Sequence, residues 1–420
     1  MPATADILPL RETLRPGDEP SVAHAVRDAC ERDVGVYPLG GRTQLGLGAV
    51  PAEPGVGLDL RGLNRVVDHA ADDMTITVEP GITMAELAEH LARRRQRLPI
   101  DVAEPDQATI GGLIATNQAG PRRFGYGTLR DYVLGIRAVD GRGTVFAGGG
   151  RVVKNAAGYN VPRLIVGSLG TLGVLTQATL MVRPVASTAA MIGCEIFELA
   201  AADGLLDALT RSPVRPVSID LVTAADVLPD EDRWPDALVA GSTDRFGWLL
   251  IGFEGTRPEV QWMIETLHRD WAGDRDASEG AVVTLNADAA RDVWSLLSRH
   301  DAHARVAVRP GRVTAAAERC LAIDPDASLI VHAGDGIMHV EFSNRIDGWL
   351  RPTVREQLRP AIVELDGRVT ITNITRPLAN GETLSRDDVW GPPSDATECM
   401  QTMKQRFDPH SILNRDRYVF

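Results

Sequence analysis

The sequence predicts an α+β protein built from two differently composed regions and a short C-terminal segment. Strand and helix patterns alternate, with turn residues between them, along the 420 residues. Of the 40 glycines, 25 fall in residues 1–184, whereas all seven tryptophans lie in the later part of the chain. We therefore predict a glycine-rich domain over residues 1–184, an α+β substrate or cap domain over residues 185–395, and a C-terminal segment over residues 396–420.

The first region begins with a helix and continues with short strands and further helices. Ser21 is expected to cap a helix that runs to Arg32, because its apolar residues repeat at helical spacing. Residues 34–39 form a predicted strand that enters a glycine loop, and residues 75–79 alternate as a strand should. Thr83 is expected to cap the next helix.

The second region mixes strands with longer helices. The apolar run that starts at Trp248 predicts a strand, and residues 257–271 predict a helix with Pro258 in its first turn. The last segment starts as a helix at Cys399 and ends in a turn-rich tail after Phe407. The chain shows no internal repeat and no low-complexity linker.

The charge and the missing motifs exclude several classes of protein. With 44 Lys and Arg against 57 Asp and Glu, the formal net charge is -13. This negative charge disfavours nucleic acid or an anionic membrane as a partner, but it is compatible with a local basic pocket. Only Lys154 and Lys404 are lysines, and neither belongs to a phosphate-binding GK[ST] motif. GxGxxG, HExxH and the hydrolase GxSxG motif are also absent, which argues against an NAD-type Rossmann enzyme.

The cysteines and the hydropathy pattern bear on location. The four cysteines are scattered without a CxxC pair, so the chain is not expected to hold a cysteine-ligated iron–sulfur cluster by itself. Its first twenty residues lack a signal-peptide pattern, and no run of 18 apolar residues occurs. We expect a cytoplasmic protein without a direct membrane span. Any association with a membrane would be made through partner subunits.

Three glycine-rich loops carry the strongest chemical signal. They cover residues 37–48, 108–120 and 154–176, and the last contains Gly167, Gly170 and Gly173 at intervals of three. Backbone N–H groups of such loops can converge on an anion such as a pyrophosphate. Each loop alone is also compatible with an ordinary tight turn. Three loops of the same chemistry, in this order, favour a ligand site.

The order of these loops resembles the FAD-binding domain of the vanillyl-alcohol oxidase and p-cresol methylhydroxylase superfamily. Within it, the chain from the strand before Gly40 to Phe407-Asp-Pro is similar to the family of second FAD-binding subunits of bacterial glycolate oxidases. The resemblance implies an FAD-binding domain of two subdomains over residues 1–184. It also implies that the C-terminal segment packs back on that domain.

The resemblance further implies which residues bind FAD. The first loop would hold the pyrophosphate, the second would lie along the flavin and ribityl chain, and the third would pass near the adenosine half. The residues concerned are Gly40, Gly41, Arg42, Thr43, Thr109, Gly111, Gly112, Asn117, Ser168, Gly170, Thr171, Gly173 and Val174. The first loop contains no His or Cys at the place where relatives attach flavin covalently, so we expect non-covalent FAD.

Two further groups are candidates for the catalytic site. His332 and His339 flank the turn in Val331-His-Ala-Gly-Asp-Gly-Ile-Met-His-Val, where two imidazoles can act as acid and base or ligate a metal. Related enzymes complete this motif with Glu-His-Gly, which this chain lacks, so the pair is either functional or a structural remnant and no metal is predicted. Arg305 and Arg309 are expected on one face of a strand, where they would clamp a carboxylate.

The resemblance implies an enzyme, an FAD-dependent oxidoreductase in which FAD accepts a hydride from a 2-hydroxy acid such as glycolate. A paralogous FAD subunit and an iron–sulfur subunit are the implied partners. Two alternatives stay open: a self-contained FAD-dependent alcohol or hydroxy acid oxidoreductase, and a flavin-binding assembly subunit without its own oxidation site.

Overall fold

The computed structural model describes residues 7–151, 159–223, 234–239, 245–272, 280–298, 302–343, 350–373 and 384–418. The strands before residue 185 are β1 (Leu10–Leu14), β2 (Val36–Leu39), β3 (Gly55–Asp59), β4 (Val66–Ala70), β5 (Thr75–Val78), β6 (Gln96–Arg97), β7 (Val133–Val139), β8 (Val145–Gly149), β9 (Val174–Met181) and β10 (Arg183–Pro184). The helices of this region are α1 (Glu19–Glu31), α2 (Met84–Ala92), α3 (Ile110–Thr116), α4 (Arg123–Tyr126), α5 (Leu129–Tyr132) and α6 (Val161–Ile165).

The strands after residue 185 are β11 (Thr188–Ile196), β12 (Ser218–Thr223), β13 (Gly247–Gly255), β14 (Val282–Leu285), β15 (Ala304–Ala307), β16 (Ser328–His332), β17 (Ile337–Glu341) and β18 (Arg368–Ile371). The helices are α7 (Leu199–Arg211), α8 (Asp236–Val239), α9 (Arg257–Ala272), α10 (Ala287–Leu297), α11 (Val313–Ile323), α12 (Leu350–Pro352), α13 (Arg359–Val363), α14 (Arg386–Trp390) and α15 (Thr397–Phe407). A π-helical turn, Thr353–Leu358, joins α12 to α13.

The strands of the first region form two main sheets. A parallel sheet has the order β1-β3-β2, and an antiparallel sheet has the order β4-β5-β9-β7-β8. The short strands β6 and β10 pair with each other. This mixed architecture, with separate sheets and helices packed on them, confirms the predicted α+β class.

One predicted helix start was wrong and another is confirmed. Helix α1 begins at Glu19, before Ser21, and Asp18 is its cap because the Asp18 side chain accepts a hydrogen bond from the Ser21 N–H. An Asp followed within two residues by proline is itself a strong start signal. Thr83 caps α2 as predicted, in a capping box with Glu86.

The later strands form one sheet of eight, in the order β14-β11-β13-β12-β16-β17-β15-β18. Its residues alternate between two faces. One face belongs to a large apolar cluster that also contains residues of α7, α9 and α11. The other face carries Val222, Trp248 and Ile330, which cluster with Trp294 of α10 and with Tyr126 of the first region. This second face is therefore directed toward the glycine-rich region, and we call it the inner face.

A buried ionic network joins the inner face to the first region. Glu254 of β13 accepts hydrogen bonds from Arg97, at 2.6 and 2.9 Å, from Arg122, at 2.8 Å, and from the Tyr126 hydroxyl, at 2.6 Å. Arg122 also pairs with Asp101. The Glu254 side chain is 4% exposed. Two guanidinium groups of the first region thus share one carboxylate of the second region as their ion-pair partner.

The C-terminal residues hold the first and third glycine loops. The buried Arg417 guanidinium donates to the carbonyl oxygens of Leu45 and Leu47 in the first loop. Lys404 Nζ donates to the Thr171 carbonyl, at 2.9 Å, and pairs with Asp408. We call residues 404–417 the C-terminal clasp.

Across the described ranges, no helix combines the length and the apolar composition that crossing a bilayer requires.

Candidate functional site

The three glycine loops come together in the structure and line one narrow cleft. The cleft has a free volume of about 60 Å³. Its lining consists of Pro38, Leu39, Gly40, Leu60, Pro80, Thr109, Gly111, Gly112, Ala115, Ile165, Ser168, Leu169, Gly170, Gly173 and Leu175. Seven predicted cofactor-binding residues are in this set. Loops separated by more than 100 residues in sequence therefore build a common surface.

The close approach of the first two loops explains two of the glycines. A Cβ on Gly40 would overlap the Thr109 hydroxyl, and a Cβ on Gly41 would overlap the Gln107 carbonyl oxygen. Thr109 caps α3, its hydroxyl accepting from the Gly112 N–H. Because α3 is short, its start serves to fix the loop geometry and not to supply a large dipole.

The other predicted cofactor residues lie beside the cleft without lining it. Asn117 ends α3 in the left-handed conformation, with φ of 50°. Thr171 and Val174 are buried residues of the third loop. In the first loop, Arg42 has a positive φ of 63° and is followed by Thr43. Lys154, the first residue of the third loop as predicted, lies outside the described residues.

Buried polar atoms in the second and third loops fit a polar cofactor. Asn117 Oδ1, Gln118 Oε1 and Ser168 Oγ are inaccessible and have no hydrogen-bond partner within the described chain. Buried polar atoms normally have partners, so such atoms mark places where a ligand supplies them. Asn117 and Ser168 were predicted from the sequence. Gln118 and the apolar wall formed by Leu60 and Pro80 were missed, because no motif distinguishes them from core residues.

The second group of candidates lies on the inner face of the eight-stranded sheet. His339 is paired in register with Ile330 on one side and with Arg305 on the other, and Asp220 is paired with His332. Laterally paired residues point to the same face. Asp220, His332, His339 and Arg305 thus form a polar row across four adjacent strands. The ring centroids of the two histidines are 5.5 Å apart.

Asp220 is a residue that the sequence analysis missed. Its Oδ1 lies 2.7 Å from His332 Nδ1, and both side chains are buried. Burial raises the pKa of Asp220, although the hydrogen bond from His332 acts in the opposite direction. The charged Asp220 between the apolar Ile219 and Leu221 of β12 is the signal that could have identified it.

Arg305 and Arg309 do not share a strand face, so that expectation was wrong. Strand β15 ends at Ala307, and Arg309 lies outside it, 77% exposed at the side chain and 3.7 Å from Asp366. Pro310 follows and cannot continue the ladder of hydrogen bonds. Arg305 remains on the inner face, where desolvation and the nearby charge of Arg123 lower its pKa.

Arg305 is accessible to solvent, and the described part of the chain provides no carboxylate in ion-pair contact with it. A guanidinium without such a partner favours the binding of an anion. Arg123, its neighbour, pairs with Asp335, at 3.4 Å. The described residues contain no group of three or more His, Cys, Asp or Glu side chains arranged to hold a metal ion.

A larger cavity, of about 390 Å³, lies apart from the cleft. It borders the ionic network of Arg97, Arg122 and Glu254 and is also lined by Trp294. Its two central arginines already have carboxylate partners. The narrower cleft, with its polar atoms lacking partners, is the better candidate for the cofactor despite its smaller volume.

Comparison with known proteins identifies the fold of the first region. A family described as an FAD binding domain matches residues 11–149. The solved structure of an alkyldihydroxyacetonephosphate synthase aligns with a TM-score of 0.68 at 19% identity, covering 96% of this chain and 76% of that one. At that identity the structural likeness bears on the fold alone.

The chain is also similar in sequence to several named oxidases and dehydrogenases. It is 25% identical to the glycolate oxidase subunit GlcD of Bacillus subtilis over 421 residues, which covers 96% of this chain and 87% of that protein. It is 29% identical to a probable mitochondrial D-lactate dehydrogenase of Danio rerio, which covers 90% of this chain and 78% of that protein. Its match to the D-2-hydroxyglutarate dehydrogenase of Xanthomonas citri pv. viticola, at 42% identity, covers 39% of this chain and 35% of that protein.

The cleft and the matched family define the class of protein: the chain carries an FAD-binding domain of the p-cresol methylhydroxylase type, and FAD is its cofactor. The protein is an FAD-dependent oxidoreductase. The expected cofactor and the expected enzyme class are thereby confirmed.

The contact between the first two loops can be tested with a pair of glycine substitutions. We expect Gly41→Ala to weaken FAD binding by at least about tenfold, because the added Cβ forces the first loop away from Gln107. The measurement is titration of the apoprotein with FAD, followed by flavin fluorescence. Gly204→Ala is the control, since no atom lies within 4 Å of its Cβ position on α7.

The control should bind FAD like the parent and gain about 0.5–1 kcal/mol of stability, because alanine favours the helix. Unchanged FAD affinity in Gly41→Ala would show that the loop contact does not shape the cofactor site.

Proposed function

We propose that the protein is the FAD-binding subunit of a 2-hydroxy acid dehydrogenase or oxidase complex, with glycolate as the first candidate substrate. The similar proteins support this proposal, because their names give glycolate, D-lactate and D-2-hydroxyglutarate as their substrates. The observation that carries it is Arg305 on the inner face of β15. Its register partner is His339 on β17, and His332 lies on the next strand, β16.

This arrangement matches the chemistry of a small hydroxy acid. The substrate carboxylate binds Arg305, and an imidazole accepts the hydroxyl proton. Bound non-covalently in the cleft, FAD supplies the hydride acceptor. The protein's own residues orient the acid, balance its charge and remove the proton.

The electrons then leave through partner subunits. None of the four cysteines, Cys30, Cys194, Cys320 and Cys399, forms a CxxC pair, so an iron–sulfur subunit is the proposed next carrier. A paralogous FAD subunit completes the proposed complex. A cytoplasmic location, with any membrane contact made by the partners, belongs to the same proposal.

The test is anaerobic mixing of the FAD-loaded chain with glycolate and with D-lactate, alone and after co-expression with the proteins encoded beside it. Loss of the visible flavin absorbance only in the presence of partners supports the proposed complex. Bleaching of the chain alone would favour a self-contained oxidoreductase. No reduction of this chain's flavin under either condition would leave a flavin-binding assembly subunit.

A further inference from the structure

The Asp220–His332 pair has the geometry of a carboxylate that orients a catalytic base. Asp220 lies on β12 and His332 on the neighbouring β16, in register, with 2.7 Å between Oδ1 and Nδ1. Asp220 is 0% exposed and His332 is 1% exposed. Two rigid strands of the sheet therefore fix the imidazole from one side.

The opposite side of the imidazole is left for a ligand. His332 Nε2 is buried and has no hydrogen-bond partner in the part of the chain that the structure describes, and the same holds for Asp335 Oδ2. A fully buried imidazole nitrogen normally has a partner. The Nε2 lone pair is therefore used by no described residue.

The turn after His332 contacts the chain that leads out of the cofactor cleft. Gly334 packs so closely on Phe124 that a Cβ would come within 2.5 Å of the ring. Arg123, the adjacent residue, pairs with Asp335. Residues 117–124 run from the end of α3, beside the cleft, to this contact. One short segment thus connects the cofactor cleft to the turn that follows His332.

The hydrogen bond between the pair decides which imidazole nitrogen carries the proton. Asp220 accepts through Oδ1, so Nδ1 is the donor and Nε2 keeps its lone pair. The other charged groups of this region are Asp101, Asp335, Arg123 and Arg305.

We propose that Asp220 is a positioning residue that holds His332 in the Nδ1–H tautomer, so that Nε2 accepts the hydroxyl proton of the substrate. This inference rests on the proposed function. The O–H bond of the substrate breaks, its proton forms the new Nε2–H bond, and its electron pair becomes the second bond of the carbonyl. Bound FAD would accept the hydrogen of the α-carbon as a hydride and would be reduced, and the product would be a 2-oxo acid.

The ionised Asp220 then stabilises the imidazolium that forms. An amide at position 220 would reverse the arrangement, because its NH2 group donates to Nδ1 and leaves the imidazole proton on Nε2. The same carboxylate-to-amide change beside the histidine of serine proteases costs about 10⁴ in kcat through the wrong tautomer.

The experiment measures the tautomer directly in the apoprotein. Protein with 15N-labelled histidine is studied by long-range 1H–15N correlation, with His332→Gln used to assign the resonances. The expected result is the Nδ1–H tautomer for His332 in the parent and Nε2–H in Asp220→Asn. Nε2–H in the parent would overturn the proposal, and this measurement needs no variant at position 220 to fold.

Steady-state kinetics with glycolate in the holoenzyme complex provide the second measurement. Asp220→Asn should lower kcat by about 10²–10⁴, with FAD content and KM changed less than about threefold. Asp324→Asn, which loses contacts to Ser343 on an exposed turn, is the matched control and should leave both measurements unchanged. An unchanged kcat in Asp220→Asn would overturn the role of His332 as base.

The two measurements separate this inference from the proposed function. If the parent oxidises no 2-hydroxy acid with its partners present, the proposed function fails, and with it the assigned proton transfer. The tautomer still shows whether Asp220 orients His332. If the parent is active and the tautomer is Nε2–H, only the present inference fails.

Discussion

Replacing Glu254 with glutamine should destabilise the protein by about 3–5 kcal/mol, because it leaves two buried guanidinium groups without their shared carboxylate. Arg97 and Arg122 would keep only Asp101 as an acidic partner among the described residues. Their side chains are 18% and 16% exposed, so water replaces the lost charge only in part. Urea unfolding, followed by circular dichroism and by tryptophan fluorescence, measures the loss.

The pH dependence provides a second check on Glu254. Burial would raise its pKa, but the hydrogen bonds and charges of Arg97 and Arg122 lower the pKa below the ordinary value of 4.5. A carboxyl group whose pKa is lowered by folding stabilises the fold at any pH above its ordinary pKa. This contribution is lost as the pH falls through the lowered pKa. Parent and variant should therefore converge in stability in acid.

The control for Glu254 is an exposed ion pair of the same composition. Arg93 and Glu89 are 68% and 77% exposed and lie 3.1 Å apart on successive turns of a helix end. Glu89→Gln should cost less than about 1 kcal/mol, because exposed pairs contribute little. An equally small loss in Glu254→Gln would mean that the network does not join the two regions.

Arg305→Met should lower kcat/KM for a 2-hydroxy acid by about 30- to 1,000-fold, which corresponds to about 2–4 kcal/mol. The physical reason is the loss of the guanidinium that lies on the inner face without an ion-pair carboxylate among the described residues. The loss should appear mainly in KM, since the charge binds the substrate in the ground state as well as in the transition state.

Arg309→Met is the matched comparison, because Arg309 lies only four residues further along. Its side chain is exposed and near Asp366, outside the strand. We expect less than a twofold change in kcat/KM. Equal effects of the two substitutions, or an uncharged alcohol that is oxidised as well as the acid, would contradict a carboxylate clamp at Arg305.

Much of the fold could be predicted because its signals are local. The capping box at Thr83 and the apolar alternation of strand β13 depend on residues that are close in sequence. The start of α1 was misplaced because Asp18 and Ser21 are both good caps, and only the backbone geometry distinguishes them. Local patterns say nothing about the order of strands in the eight-stranded sheet, which depends on pairings over more than 100 residues.

The candidate site was predictable only as far as its motifs reach. Glycine loops are visible in sequence because a close backbone approach excludes side chains, as at Gly41. Asp220 carries no such signal, since it comes to His332 through a strand pairing 112 residues away. The prediction that Arg309 shares a strand face with Arg305 was wrong for a local reason, because Pro310 ends the strand before Arg309 can join it.

The C-terminal clasp has a consequence for how the protein is made. Ribosomes deliver the chain from its amino end, so the loops at residues 40–48 and 167–173 emerge long before Arg417 and Lys404, which fasten their backbones. A nascent chain therefore holds an unfinished dinucleotide site until residue 417 has been synthesised. We therefore expect flavin to bind only after residue 417 has been synthesised, and truncated products left by stalled translation should be colourless.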